Sequence, residues 1–579
     1  MKLLQTTFDI EFENTVKSWA ETVSKNDYSA LIHVYIPYAS ENRIDDLGKI
    51  RHILKKHLPS VPVVGCSSIG NIIEGQLTDD DESIISIMLF EYASTEVTIV
   101  PLYAENNQDP YSILEYIQSL SDLKGIEVIT AASYQKLEVS GSVVDTLPEE
   151  IDIFGGVAVG DDKHPSFVFA GDCPESFEST VLVYYCGPEL HLLTNRMFGW
   201  KPIGYPLKVT KSDGPLIYEI DNKPAYYVYT HYLNIVNDDN FFYDALNFPL
   251  QVQVDEETKY LRHAKSVNPD GSILMSSTIP QGSEIYLTYG DPRRIMSHTK
   301  QTALKIMEFA PEVLNVFNCF GRKFYWADKE NTEISVLSKL GDTTGFSALG
   351  EIMRYKGITI LNNLTIVTAA MREGSKKAIP EVDFALFEHN AGTSVTARLA
   401  LFINTISEEL MEKNKELNKM LYKASHDALT DLLNRGAIER SIYEYSEGGG
   451  TDWCLVMLDL DDFKKINDNF GHIEGDAVLK YLSQILSDYV KAIPNASVGR
   501  WGGEEFMIFI SGCREDEIIE IAETLRKKIK DESNHRYPVT VSIGVTGHRQ
   551  GESVLATISR TDELMYQAKH SGKDRVCSN

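Results

Sequence analysis

The sequence predicts a multidomain α/β protein. It has a mixed-sheet N-terminal region in two parts, a coiled-coil helix, and a small C-terminal domain with a ferredoxin-type or polymerase-palm sheet. Three observations carry this expectation. The chain has 579 residues, too many for one hydrophobic core, which implies roughly three or four domains. Short β-like runs alternate with amphipathic helical stretches along its length. An uninterrupted heptad row lies between residues 399 and 424.

The first part, residues 1–215, reads as α/β. The runs "ALIHVYIP", "VPVVGCSS", "SIISIMLFEY" and "EVTIVPL" are strand-like, and "IDDLGKIRHILKKHL" is a helix between them. Several parallel strands are expected from this alternation. Gly155-Gly156 and Asp161-Asp162 read as turns. The second part, residues 216–385, is richer in strands. Its SDG, PDG and YGD triplets read as hairpin punctuation.

Residues 386–425 differ in character. Leu399, Ile403, Ile406, Leu410, Lys413, Leu417, Met420 and Ala424 follow a 4-3-4-3-4-3-4 spacing, with one polar slot at Lys413. Charged residues fill the outer faces, and neither Pro nor Gly interrupts the row. A parallel two-stranded coiled coil is the natural reading, which makes the protein a homodimer; the alternative is one amphipathic helix packed on its own domain.

Residues 426–579 give the order β-α-β-β-α-β. "CLVMLDLDDF" is a strand ending in acids. "DAVLKYLSQILSDYV" is a helix, and "SVGRW-GG-EEFMIFIS" is a hairpin with glycines at its tip. A second helix, a strand and a last helix stopped near Gly572 complete the domain.

Composition bounds the function. Apolar residues make up 43% and aromatics 10%, which is a globular balance. With 84 acids against 55 bases, the net charge of −29 repels nucleic acid and anionic membrane, so neither is expected as a partner. A phosphate ligand then needs a local exception: a cation, a helix N-terminus or a few placed lysines. The seven cysteines are scattered, with no C-x-x-C pair. That argues against a disulfide framework or a structural zinc site, and it fits a reducing compartment. The N-terminus turns acidic before an apolar signal core develops, and no apolar run approaches the ~18 residues of a membrane span. A cytoplasmic protein without membrane insertion is expected.

The chemistry concentrates at strand ends of the last domain. Asp459 sits where the run "LVML" gives out, and the hairpin tip Gly502-Gly503-Glu504-Glu505 belongs to a neighbouring strand in this topology. Carboxylates brought together repel each other, and a cation relieves the repulsion. Mg2+ takes a few carboxylates and leaves positions for water and substrate phosphates. Gly502 and Gly503 have no side chains, so a phosphate can approach their backbone. Phe463 and Lys464 open a turn whose N–H groups can cap phosphates. Asn467, His472 and Asp476 follow in a stretch containing Gly471 and Gly475. An Asn amide and an Asp carboxylate suit the guanine edge. Lys569 and Lys573 supply the local positive exception.

The segments "DALTDLLNR", "LDLDDFKKINDNFGHIEGD", "RWGGEEF" and "MYQAKHSGKDRV" resemble the GGDEF-domain diguanylate cyclases, in order and spacing. The resemblance implies a palm-like domain that joins two GTP into cyclic di-GMP and releases pyrophosphate. Asp459 and the Leu460 carbonyl would then ligate Mg2+, with Mn2+ as a substitute. Glu504 would bind metal and help deprotonate the attacking hydroxyl, and Glu505 is a second metal candidate. Asn467 and Asp476 would read guanine, with His472 near the nucleotide. Phe463, Lys464, Lys569 and Lys573 would hold phosphates. Many such cyclases carry Arg-x-x-Asp before the hairpin, where product inhibits. Here those positions are Ile493 and Ala496, which implies that this inhibitory site is absent.

The front of the chain resembles the FIST sensory module in its N-terminal and C-terminal parts. The carriers are "VPVVGCSSIGNI", "FGGVAVGDD", "GWKPIGYPLKVTKSDGPLIYEIDNKPA", "FNCFGRKFYW", "TGFSALGEI" and "LNNLTIVTAAMREG". That resemblance implies an unidentified small-molecule ligand, an amino acid among the candidates. Cys66, Ser67 and Ser68 read as a Gly-bounded strand-to-helix turn able to bind an anionic group, with a buried structural thiol as the alternative. Arg322 and Glu351 read as ligand-clamping charges, or more simply as a salt bridge to each other. Two other readings stand beside the cyclase: a silent GTP-binding receptor, and a cyclase with a different dinucleotide product.

Overall fold

The computed structural model describes all residues except 79–81, 102–109, 132–147, 149, 162, 256–257, 327–330, 356, 378–381, 383–394 and 533–537. Asp162, the expected boundary at 385/386 and the expected start of the helix at 386 lie outside the described residues. The chain packs as two compact units, Met1–Glu408 and Glu409–Asn579.

The first unit has a ten-stranded and a six-stranded sheet that share a buried layer, and a separate eight-stranded antiparallel sheet. The run "ALIHVYIP" forms Ser29–Pro37, and it pairs in parallel with Val63–Ile73, as the α/β alternation leads one to expect. The helix between them is Arg43–His57, which buries Leu47, Ile50 and Leu54. Glu127 ties the two layers together. It accepts from His33 Nε2 at 3.0 Å, Tyr185 Oη at 2.6 Å and Asn315 Nδ2 at 3.1 Å, all fully buried. A buried carboxylate persists only when partnered this fully.

Several local expectations are corrected. Cys66, Ser67 and Ser68 are not in a turn; they lie inside the eleven-residue strand Val63–Ile73. Gly65 is there for close approach, since a Cβ would come within 2.1 Å of the Val34 carbonyl oxygen. Cys66 is fully buried, and burial pushes its thiol well up. Ser67 Oγ donates to the Val159 carbonyl at 2.7 Å, and Ser68 Oγ to that of Ile36 at 3.2 Å. Arg322 does not pair with Glu351. Its ion pair is with Glu333 at 2.6 Å, and it also donates to the carbonyls of Met197, Phe198 and Leu364. Glu351 instead accepts from the Thr365 hydroxyl at 2.7 Å, and burial raises its carboxyl to about 8. Gly155 and Gly156 lie within the strand Asp152–Val157. Asp161 does shape a turn, accepting from the Lys163 N–H at 2.8 Å.

SDG and PDG turn hairpins, Trp200–Asp213 onto Leu216–Ile220 and Ala264–Val267 onto Ile273–Met275. YGD does not. The strand Glu284–Gly290 ends there, and the Asp291 side chain accepts from the Arg293 N–H to start the helix Pro292–Phe309.

The heptad row lies on one helix, Val395–Ser425. Leu399, Ile403, Ile406, Leu410, Leu417 and Met420 are all exposed in the single chain, an apolar row left uncovered.

The second unit holds a six-stranded sheet. Its four central strands run, in space, Ala496–Gly502, Glu505–Ser511, Trp453–Leu460 and Val541–Gly547. All adjacent pairs among the four are antiparallel. The order is that of a βαββαβ sheet, with the first and third strands at the centre. Helices His472–Lys491 and Glu515–Glu532 bury Leu482, Leu486, Ile518 and Leu525 against one face.

Candidate active site

The hairpin register builds the site. Asp459 lies opposite Glu505 where the two central strands pair. The Leu460 N–H donates to the Glu504 carbonyl at 3.3 Å. Gly503 takes φ +47, a left-handed value that glycine adopts freely, and turns the tip. Arg500 fastens that tip. Its guanidinium donates twice to the Gly503 carbonyl, at 2.9 and 2.7 Å, and once to Asp427 at 3.0 Å. Asp427 also caps Leu429 and Thr430. The "DALTDLLNR" and "RWGGEEF" segments are thus one structural assembly, and their sequence separation hides it.

Asp459 is 2% exposed, and burial raises its carboxyl from 3.8 to about 6. Lys569, at 2.5 Å from Oδ2, pulls the other way; Glu504 and Glu505 push further up. Asp459 Oδ1 is buried and has no hydrogen-bond partner. Glu505 is also raised, first by burial and then by the charge of Asp562. A buried carboxylate oxygen without a partner, beside two further acids, is a place for a cation. Among the described residues no three acids, histidines or cysteines form a closed metal cage.

Asp461, for which no role was read from sequence, is buried. It accepts from Thr540 Oγ1 at 2.7 Å, Ser542 Oγ at 2.6 Å and the Asp574 N–H at 3.0 Å. It therefore pins the chain after the last helix Val554–His570 beside the first strand end. Lys573 pairs with Asp462 at 2.7 Å. Both expected phosphate lysines are thus drawn to acids at this strand end.

Phe463 and Lys464 begin a helix, Phe463–Phe470, rather than a turn. Asp462 precedes it in a left-handed conformation and offers no side-chain cap. The Lys465 N–H donates to the Asp462 carbonyl at 2.9 Å, and no side-chain cap takes the N–H groups of Phe463 and Lys464. Gly471 then joins this helix directly to His472–Lys491. His472 and Asp476 are exposed on the first turns of the second helix, and Asn467 is half-buried on the first. Gly475 makes room for Asn467: a Cβ there would meet Asn467 Oδ1 at 2.0 Å. Gly475→Ala is therefore expected to displace the Asn467 amide while sparing the fold. On the expectation that Asn467 reads guanine, steady-state kinetics with GTP should show KM raised roughly tenfold and kcat changed less. An unchanged KM would remove Asn467 from nucleotide recognition.

Three family models match the chain: FIST N domain over residues 31–223, FIST C domain over 225–354, and diguanylate cyclase, GGDEF domain over 424–575. Diguanylate cyclase DgcM of Escherichia coli (strain K12) is 36% identical over 179 residues, 30% of this chain and 42% of that protein. Diguanylate cyclase DgcP of Pseudomonas aeruginosa is 31% identical over 230 residues, 38% of this chain and 33% of that protein. The chain spans less than half the length of these curated relatives. The solved coiled coil and GGDEF domain of DgcB from Caulobacter crescentus is 29% identical, with a TM-score of 0.29, covering 32% of this chain and 100% of that one. The active GGEEF domain of a diguanylate cyclase from Vibrio cholerae is 28% identical, with a TM-score of 0.24, covering 25% and 97%. No helix among the described residues is long and apolar enough to cross a membrane. By the family matches the chain carries a GGDEF domain, with FIST N and FIST C domains ahead of it.

Proposed function

We propose that the chain is a sensor-regulated diguanylate cyclase that condenses two GTP into cyclic di-GMP and two pyrophosphates. The observation that carries this reading is the buried, unpartnered Asp459 Oδ1 in register with the Glu504-Glu505 tip. Asp459, Glu504 and the Leu460 carbonyl would hold Mg2+, or Mn2+ in its place, and Glu505 would complete the acidic wall. The bound ion would neutralise charge building on the phosphates. Asn467 and Asp476 orient guanine, with His472 alongside. The Phe463 and Lys464 N–H groups and the glycines of the tip receive phosphate oxygens. With a cation held at Asp459, Lys569 would be available to a phosphate, and Lys573, 39% exposed beside Asp462, would hold another. Glu504 helps take the proton of the attacking 3'-hydroxyl, which must stand in line with the α-phosphate of the other GTP.

Each domain holds one GTP, so two domains must face each other. The uncovered heptad row supplies the means of pairing. The test is incubation of purified protein with GTP and Mg2+, with product identified by mass spectrometry. Cyclic di-GMP is expected. Guanosine-containing products other than cyclic di-GMP, or none, would overturn the reading.

Ile493 and Ala496 are half-buried against the domain core and bring no charge to the position where related cyclases bind product. Turnover is therefore expected to be insensitive to low-micromolar cyclic di-GMP in progress curves. Inhibition relieved by substituting Ile493 would contradict this.

A further inference from the structure

We propose that the cleft between the eight-stranded sheet and the first turns of the helix Val395–Ser425 is a ligand site. We assign it a small neutral molecule with an aromatic or branched-aliphatic body. The proposal rests on the reading of the FIST region as a sensor, but its binding test does not depend on cyclase turnover.

The cleft encloses about 390 Å³, within the range of small-molecule sites. Tyr205, Tyr232 and Phe248 form one wall, and Leu399 and Ile403 of the helix form the other. No lining side chain is charged. A free amino acid would set its ammonium and carboxylate against this lining without a counter-charge among the lining residues, which disfavours it. The polar groups present are neutral hydroxyls. Tyr205 Oη and Tyr232 Oη lie 2.7 Å apart, and Tyr289 and Ser407 are the other hydroxyl-bearing residues of the lining. Such a set can meet one uncharged donor or acceptor on an otherwise apolar ligand.

The two walls are held in place by contacts beside the cleft. Asn404 Nδ2 donates to the Pro202 carbonyl at 2.8 Å, and Asn404 Oδ1 accepts from the Gly204 N–H at 2.9 Å. This side chain serves the backbone where the pairing of Trp200–Asp213 with Glu284–Gly290 slips between Ile203 and Leu207. Ala400, 5% exposed, packs on Tyr289. With the helix fixed at Ala400 and Asn404, Leu399 and Ile403 still keep 55% and 47% of their surface exposed. These two residues also open the heptad row. A molecule seated in the cleft would therefore touch the row that pairs two chains, which gives sensing a physical route along the helix.

The test uses the full chain and calorimetric titration with indole, a neutral aromatic probe, against tryptophan, which carries the same ring on a zwitterion. Saturable binding of indole to one site per chain is expected, with tryptophan at least about tenfold weaker. Ile403→Glu puts a charge on the cleft wall, and Leu399→Trp fills the cleft without one. Both positions are exposed, so circular dichroism should remain that of the wild type, and each variant should lose indole binding by about tenfold or more. No saturable indole binding, equal binding of tryptophan, or binding unchanged in both variants would overturn the proposal. So would indole binding that disappears as the chain dimerises with rising concentration, because the cleft would then belong to a second copy's helix.

Discussion

Glu504→Ala is expected to remove at least about a thousandfold of the conversion of GTP to cyclic di-GMP, roughly 4 kcal/mol of transition-state stabilisation. The fold should be spared. Glu504 is only half-buried at the tip, and the backbone carries that turn: Gly503 at positive φ and Arg500 bound to the Gly503 carbonyl. Truncating the side chain removes no core packing. It also removes one of the charges that raise Asp459. Thermal stability should therefore stay within about 0.5 kcal/mol of wild type or rise slightly. Single-turnover kinetics and a thermal melt on the same preparation separate the two effects. Substantial turnover in the variant would move the metal and proton roles to Glu505. A collapse in stability would show the tip to be held by Glu504 itself.

The C-terminal sheet was legible because its signals are local. Apolar runs of strand length, two helices with one aligned face and a Gly-Gly tip fix the order. The register then brings Asp459 to Glu505 without further information. What failed to show was of two kinds. The helix Phe463–Phe470 is short, and its Asn467, Asp468 and Asn469 are weak helix formers, so periodicity reads it as a turn. The other kind is long-range pairing. Arg322 chose Glu333, eleven residues on, over Glu351, and Arg500 reaches Asp427 across 73 residues. No local pattern reports such partners. In the FIST region the glycines misled for a physical reason. Gly65 and Gly155 serve close approach between strands, where a Cβ would strike a neighbouring carbonyl, and in sequence this looks the same as a turn. Asp461 was overlooked because its neighbours in "DLDD" carry the same chemistry, and only burial and the contacts to Thr540, Ser542 and Asp574 distinguish it.

Asp459→Asn is expected to abolish turnover and, with divalent cations chelated at neutral pH, to raise thermal stability. The two effects have one cause. Burial holds the Asp459 carboxyl at about 6, above its ordinary 3.8, so the folded state binds this proton more tightly than the unfolded chain does. The stability this group gives is therefore full below about pH 4, is lost as pH rises through about 6, and is absent at pH 8. Asparagine is nearly isosteric and neutral, and pays no such penalty. The Lys569 pair is lost, but Lys569 is 30% exposed and can turn to water. A cation at Oδ1 does for the wild type what the substitution does for the variant, so added Mg2+ should stabilise the wild type and leave D459N nearly unmoved. The same balance sets the acid limb of activity. Turnover should fall as pH drops below about 6, with a lower midpoint at saturating Mg2+, because a bound cation favours the charged carboxylate. Melting curves at pH 5 and pH 8, with chelator and with Mg2+, test each part. An equal response of both proteins to Mg2+, or a less stable D459N at pH 8 with chelator, would mean that Asp459 is held by Lys569 for structure and not poised for a metal.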